Sequence, residues 1–250
     1  MPTSNLILLI LLFFITSAVG VVTGSNSLIT VPVMFQFGVE PKVAVATNMF
    51  GLTFMAIGAT IPFLKQGVID RKRISPLVLL TVVGSAIGAV LVGFISNKTM
   101  PIIVSVSMIV VTIFTFLKRD AGVTKTESIS DNTKITAYAL TFLLAIYGGL
   151  YSGGYVTLLT AVFVAFFGMP FTEAVAGTKL INVFSSFIAT SIFMWQGLVN
   201  YKLGLILAVV MFTGAYIGAK TVTKLNDLWL KRIFLFTVLL LAVKTIFDFI

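Results

Sequence analysis

The chain has 250 residues, of which 58% are hydrophobic and only 10% are charged, and its mean hydropathy is +1.12. A soluble domain carries roughly 25% charged residues, so this composition excludes a water-soluble fold and indicates a membrane protein. The net charge of +9 resides largely in three loops, which is typical of membrane orientation and argues against nucleic-acid binding. Cysteine and histidine are absent, which excludes disulfides, Cys or His metal ligands and Ser-His catalytic pairs.

Five apolar segments make up the first half of the chain. Since a spanning helix needs about 20 residues, four of them are long enough to cross or nearly cross a membrane. The predicted segments are 6–22, 28–37, 43–64, 76–95 and 102–117. The short second segment, about 15 Å long if helical, follows a polar break at residues 23–27. No Lys or Arg precedes residue 6, so we interpret the first segment as a retained helix rather than a signal peptide.

A polar stretch, residues 118–134, lies at the midpoint and is the predicted cytoplasmic linker. It separates a first transmembrane repeat, residues 1–117, from a second, residues 135–250. The second repeat has the same plan, including a Gly/Ser break at residues 151–155. Its predicted segments are 135–150, 156–167, 172–195, 203–219 and 230–249.

The repeat is visible in the letters as well as in the hydropathy. When the chain is shifted by about 130 residues, four groups match in the same order. These groups are Gly20 and Gly24 with Gly149 and Gly153 (one residue of slippage), 44–46 with 174–176, 66–70 with 196–200, and Gly84 and Gly88 with Gly214 and Gly218. The order favours an internal duplication with about five helical segments in each unit.

The basic loops predict how the two units lie in the membrane. Lys and Arg concentrate at 65–73, 118–134 and 220–232, and all three should face the cytoplasm. This requires two inverted repeats, in which the first helix of each unit is broken or re-entrant. The alternative counts each broken pair as one crossing, which gives eight helices in parallel repeats. We therefore expect an all-α polytopic membrane protein, and favour inversion.

The glycine-rich openings 20–25 and 149–154, the Ala-Val-Ala stretches after Gly38 and Gly168, and the Gln-Gly-x-[IV]-[DN] ends of the third helices form an ordered set. By this set, its size and its two-unit plan, the chain resembles the sulfite exporter TauE/SafE family over nearly its whole length. The resemblance implies a secondary transporter, expected to export a small sulfur-containing anion such as sulfite or an organosulfonate across the prokaryotic inner membrane. The alternative is a passive anion channel or a permease for another small organic anion.

Interrupted helices in matching positions of two halves are the best sequence indication of a transporter's binding site. Each short segment begins directly after its break, where a helix N-terminus offers unpaired N–H groups and about half a positive charge. The alternative is that the break residues only cap or kink helices. The predicted substrate-binding residues are Thr23, Gly24, Ser25, Asn26, Asn48, Ser152, Gly153, Gly154, Thr178, Lys179 and Asn182.

Among the predicted substrate-binding residues, Lys179 alone carries a full charge. It lies about 10 Å into its predicted helix. A charge at the helix centre costs about 2.5–3.5 kcal/mol, so we expect Lys179 to face a cavity and attract the anion. The alternative is a lysine that reaches the interface or pairs with Glu173. Glu40 and Glu173 precede the third helices and are candidate proton relays. We expect a small anion and the lipid bilayer as partners, and no enzyme activity, metal or cofactor.

Overall fold

The structure, a computed structural model, describes residues 3–24, 26–117 and 131–224. Within these ranges the chain is helical and contains no strand. The helices are α1 (Thr3–Thr23), α2 (Ser27–Gln36), α3 (Pro41–Lys65), α4 (Arg71–Phe94), α5 (Met100–Leu117), α6 (Asp131–Leu150), α7 (Tyr155–Phe167), α8 (Phe171–Trp195) and α9 (Tyr201–Val222). The predicted segment 230–249, residue 25 and most of the linker lie outside the described residues.

Within the described ranges, six helices are long and apolar enough to cross a membrane, namely α1, α3, α4, α6, α8 and α9. Their outer surfaces carry large exposed apolar side chains, such as Phe94 and Trp195, which are 84% and 85% exposed. A surface of this kind requires lipid around it, because water would not solvate it favourably. The all-helical polytopic fold expected from composition is confirmed.

The helix boundaries repeat as the sequence does. Under the shift that aligns the two units, α3 and α8 coincide at both ends, and α4 and α9 coincide at their starts. Matching side chains cap the latter pair, because the Asp70 side chain accepts hydrogen bonds from the N–H groups of Lys72 and Arg73, and the Asn200 side chain accepts one from Leu203. α6 begins at residue 131, inside the stretch assigned to the linker and ahead of the predicted start of the second repeat.

The directions of the helices follow from which residues meet. α3 and α4 run antiparallel, because Lys42 near the start of α3 donates from Nζ to the Gly93 carbonyl near the end of α4 (3.3 Å). Four neighbouring pairs of long helices run parallel. The contacts that fix these pairs are Thr47–Asn200 and Gly58–Phe212 for α3 and α9, Ile74–Gly177 and Ala89–Gln196 for α4 and α8, Phe14–Gly214 and Ala18–Gly218 for α1 and α9, and Gly84–Ala145 and Gly88–Leu150 for α4 and α6.

It follows that α1, α3 and α9 run one way across the bundle, and α4, α6 and α8 run the other way. Each long helix of the first unit is therefore antiparallel to its counterpart in the second unit. This arrangement is consistent with two inverted repeats. Since α1 and α3 point in the same direction, the short α2 has to carry the chain back between them, as α7 does between α6 and α8.

Glycines allow the parallel pairs to pack with their backbones in contact. A Cβ atom at Gly88 of α4 would overlap the Ile146 carbonyl oxygen of α6. At the equivalent place, a Cβ atom at Gly218 of α9 would overlap the Ala18 carbonyl oxygen of α1. Close backbone approach through small residues is the usual way in which membrane helices associate. The four-residue spacing of Gly84 with Gly88 and of Gly214 with Gly218 is typical of this kind of packing.

Candidate functional site

The two helix breaks meet inside the bundle. The hydroxyl groups of Ser27 and Ser152, one from each break, lie 2.7 Å apart. Thr157 Oγ1 donates to the Thr23 carbonyl oxygen (2.6 Å), and Tyr151 OH donates to the Ser27 carbonyl oxygen (2.8 Å). All five residues are buried. The two units are therefore joined at their interrupted helices, away from lipid.

Two break glycines have left-handed backbone, which only glycine adopts readily. Gly24 has φ +68° and packs against Val156 and Thr157, so a side chain at this position would collide with the start of α7. Gly154 has φ +78° and is the N-cap of α7. The same shift that aligns the helices relates these two left-handed positions. The backbone therefore pairs Gly24 with Gly154 rather than with Gly153, and the one-residue slippage inferred from the letters is wrong for this pair.

Lys179 of α8 reaches this meeting point. Its side chain is buried, 2% exposed, and its Nζ donates to the carbonyl oxygen of Gly20 near the end of α1 (2.8 Å). The same carbonyl oxygen also accepts from the Gly24 N–H (2.9 Å). An ammonium group has three N–H donors. Among the described side chains no carboxylate pairs with Lys179, so its positive charge is not balanced by the protein there.

A small cavity of about 10 Å³ lies beside the ammonium group. A volume of about 10–15 Å³ is what one water molecule needs, so a sulfur oxyanion does not fit in this conformation. The wall contains both polar and apolar residues. The residues that line it are Gly20, Gly24, Asn26, Ser27, Leu52, Met55, Ser152, Val156, Lys179 and Asn182.

Asn48 of α3 supports the first break from behind. Its Nδ2 donates to Ser27 Oγ (2.8 Å), and its Oδ1 accepts from Thr30 Oγ1 (2.8 Å). The counterpart of Asn48 in the second unit is Thr178, whose hydroxyl lies 3.2 Å from that of Thr160. Each third helix therefore binds the short helix of its own unit through an equivalent pair of positions.

The predicted substrate residues fall into three groups. Gly24, Asn26, Ser152, Lys179 and Asn182 line the cavity, and their contact with substrate stays a prediction. Thr23, Asn48, Gly153 and Gly154 belong to the breaks or bind them without lining the cavity, and Thr178 contacts α7 instead. Ser25 lies outside the described residues.

The two candidate proton relays lie away from the cavity. Glu173 forms an ion pair with Arg73 of α4 (3.5 Å), so the alternative in which it pairs with Lys179 is not found. Glu40 is exposed at the start of α3, beside a separate cleft. Their role as relays stays a prediction.

Several residues of the site have no role in the sequence-based prediction. Gly20 contributes its backbone carbonyl oxygen, and because every residue has this group, the residue type does not identify it. Its place one helical turn before Gly24 was the available signal. Tyr147 and Tyr151 hold the breaks, because Tyr147 OH donates to the Gly153 carbonyl oxygen and Tyr151 OH to that of Ser27. The four-residue spacing of these tyrosines, which puts them on one helix face, was the available signal.

The chain is similar to known membrane proteins over nearly its whole length. The family model described as sulfite exporter TauE/SafE matches residues 9–245. Relatives include the "Probable membrane transporter protein ORF9" of Sinorhizobium sp, 24% identical over 94% of this chain and 90% of the relative. Others are the "Probable membrane transporter protein YfcA" of Escherichia coli (strain K12), 24% identical over 97% and 91%, and YunE of Bacillus subtilis (strain 168), 24% identical over 98% of both chains. No solved structure matches the chain.

Proposed function

This chain belongs to the sulfite exporter TauE/SafE family and is a multi-pass inner-membrane protein. We propose that it is a secondary transporter that exports a small sulfur-containing anion such as sulfite or an organosulfonate. One observation carries the proposal. Lys179, a buried cation without a carboxylate partner among the described side chains, lies where the two interrupted helices meet. A buried charge is costly unless it is paired, and an anionic substrate would pair it.

Two further features favour an anion at this place. The N-termini of α2 and α7 both begin at the cavity wall, and a helix N-terminus attracts negative charge through its dipole and its free N–H groups. Hydroxyl and amide groups of Ser27, Ser152 and Asn182 add neutral donors around the ammonium group. We assign substrate contact to these groups together with Lys179, Gly24 and Asn26.

The small volume of the cavity implies movement during transport. For an oxyanion to enter, Lys179 has to leave the Gly20 carbonyl or the two breaks have to separate. We propose that residues 1–117 and 135–250, joined by the linker 118–134, rock against each other and expose the site to each side of the membrane in turn.

The experiment that tests the proposal is a thermal-unfolding screen of the purified protein with sulfite, sulfate, thiosulfate and sulfonates. A ligand present at 100 times its Kd stabilises the folded state by about 2.7 kcal/mol. We expect at least one of these anions to raise the midpoint of unfolding, and the Lys179→Met variant to show no increase.

The matched control is Lys220→Met, which removes an exposed charge at the end of α9 and should leave the increase unchanged. An equal increase in Lys179→Met and in the unmodified protein would remove Lys179 from the site. No increase with any of the anions would contradict the substrate class.

The second candidate function is a passive anion channel or a permease for another small organic anion, which could use the same broken helices. The cavity at Lys179 is too small for an oxyanion in this conformation, which favours a carrier that has to move over a pore that stays open. Counterflow in proteoliposomes separates the two: a carrier accumulates labelled substrate against unlabelled substrate on the other side, whereas a channel only equilibrates it.

A further inference from the structure

The two ends of the bundle carry equivalent sets of positions. Since the two units repeat in sequence and run in opposite directions, a set at one end of the membrane has its counterpart at the other end. One such set lies at the turn from α7 to α8, which meets α4. Its counterpart lies at the turn from α2 to α3, which meets α9. The matched positions are Arg73 with Leu203, Glu173 with Val43, Phe167 with Phe37, and Met169 with Val39.

At the end that carries the basic loop 65–73, this set is closed. Arg73 Nη1 lies 3.5 Å from Glu173 Oε1, and Arg73 Nη2 donates to the Phe167 carbonyl oxygen (2.8 Å). Tyr138 of α6 packs edge-on against the Phe167 ring. One arginine therefore binds both α7 and α8 to α4, and Met169 behind it is only 2% exposed.

At the opposite end the same set is open. Phe37, Val39, Val43 and Leu203 line a cleft of about 680 Å³ between α1, the α2–α3 turn and α9. The positions of the arginine and the glutamate are occupied by Leu203 and Val43, so no ion pair forms there. α1 also packs less extensively against α2 than α6 does against α7.

We propose that Arg73, Glu173 and the Phe167 carbonyl form the cytoplasmic gate of this protein, and that the cleft around Val43 and Leu203 is the outer gate in its open state. The inference rests on the proposed transporter function, since a carrier has to close one end while the other is open. The outer gate closes by apolar contact, whereas the inner gate closes through an ion pair and a hydrogen bond. The inner gate therefore biases the empty protein towards the arrangement in the structure, in which the cytoplasmic end is closed and the outer cleft is open, while the cleft and the cavity at Lys179 share no lining residue.

The absence of cysteine from the sequence makes a direct test simple. Val39→Cys and Met169→Cys are single-cysteine reporters at equivalent positions of the two gates. We expect a water-soluble maleimide to label the first faster than the second. Adding Arg73→Ala should raise the labelling rate of Met169→Cys and lower that of Val39→Cys, each by about two- to fivefold, because a half-exposed ion pair shifts a two-state equilibrium by that order.

Two further variants make the result specific. Lys72→Ala removes a neighbouring exposed charge and should change neither rate. Exchanging the charges, Arg73→Glu with Glu173→Arg, should restore the ion pair and bring both rates back towards their original values.

Faster labelling of Met169→Cys without slower labelling of Val39→Cys would overturn the gate, because it would show only local loosening. Unchanged rates in Arg73→Ala would overturn it too. The assay needs no substrate, so a failure to bind sulfur anions would contradict the proposed substrate while the gate could still hold.

Discussion

At the residue scale, the site combines one buried charge with many neutral hydrogen bonds. The break residues are held by side chains and backbone from both units, and lipid cannot replace a partner that is lost. Asn48 is the clearest case, since its side-chain amide is hydrogen-bonded to both Ser27 and Thr30. Asn26 Oδ1 and Tyr155 OH are the buried break atoms without a hydrogen-bond partner among the described residues.

We expect Asn48→Ala to lower the stability of the folded protein by about 1–3 kcal/mol, because two buried hydroxyl groups lose a partner. The measurement is the midpoint of thermal unfolding in detergent. Thr213→Ala is the control, since Thr213 is exposed and bonds only to its own helix. Equal midpoints for the two variants would show that the Asn48 bonds do not support the break.

Residue types predicted part of this site and left out the rest for a physical reason. A lysine deep in an apolar helix and polar breaks in matching places are visible as letters, and five of the predicted residues line the cavity. The partner of Lys179 is the Gly20 carbonyl, a group that every residue carries, so only the folded backbone identifies it. Leu52, Met55 and Val156 were equally hidden, because apolar residues are common throughout this chain.

At the element scale, the fold depends on helices that approach closely and on helices that stop early. The break positions and the short lengths of α2 and α7 followed from sequence, since Gly, Ser and Asn interrupt otherwise apolar runs. The start of α6 did not, because residues 131–134 are polar and were assigned to the linker, whereas a helix can extend past the apolar core of the membrane.

Gly88→Ala tests the close packing of α4 on α6. The added methyl group would overlap backbone, which cannot move without displacing the helix, so we expect a loss of about 1–3 kcal/mol of stability. The readout is the unfolding midpoint of the detergent-purified protein. Gly204→Ala is the matched control, because its nearest neighbour is the ring of Phe50, a side chain that can shift. If Gly204→Ala were the more harmful change, backbone contact would not explain the need for glycine.

At the scale of the whole molecule, the duplication could be recognised from letters, but the relative direction of the units needed charge as well. Helix composition is the same in either orientation, so the basic loops were the only indication in the sequence. The residue contacts supply the directions independently, since parallel and antiparallel neighbours bring different ends together.

The inverted topology predicts that Lys72 and Lys202, equivalent exposed residues at the starts of α4 and α9, lie on opposite sides of the membrane. In intact cells, an impermeant maleimide should label Lys202→Cys, whereas Lys72→Cys should react only after the membrane is permeabilised. If both variants require permeabilisation, the repeats are parallel and the eight-helix alternative is correct.

The bond between Lys179 and the Gly20 carbonyl also bears on the direction of net flux. In some carriers the charge that binds the substrate has no partner when the substrate is absent. Such a carrier reorients its site across the membrane only with substrate bound, so it is restricted to one-for-one exchange. Here the Gly20 carbonyl oxygen accepts a hydrogen bond from Lys179 Nζ, which partly replaces the contact with an anion without balancing the charge. We therefore expect the unloaded protein to return across the membrane by itself, so that a cell could empty a toxic anion without importing anything in its place.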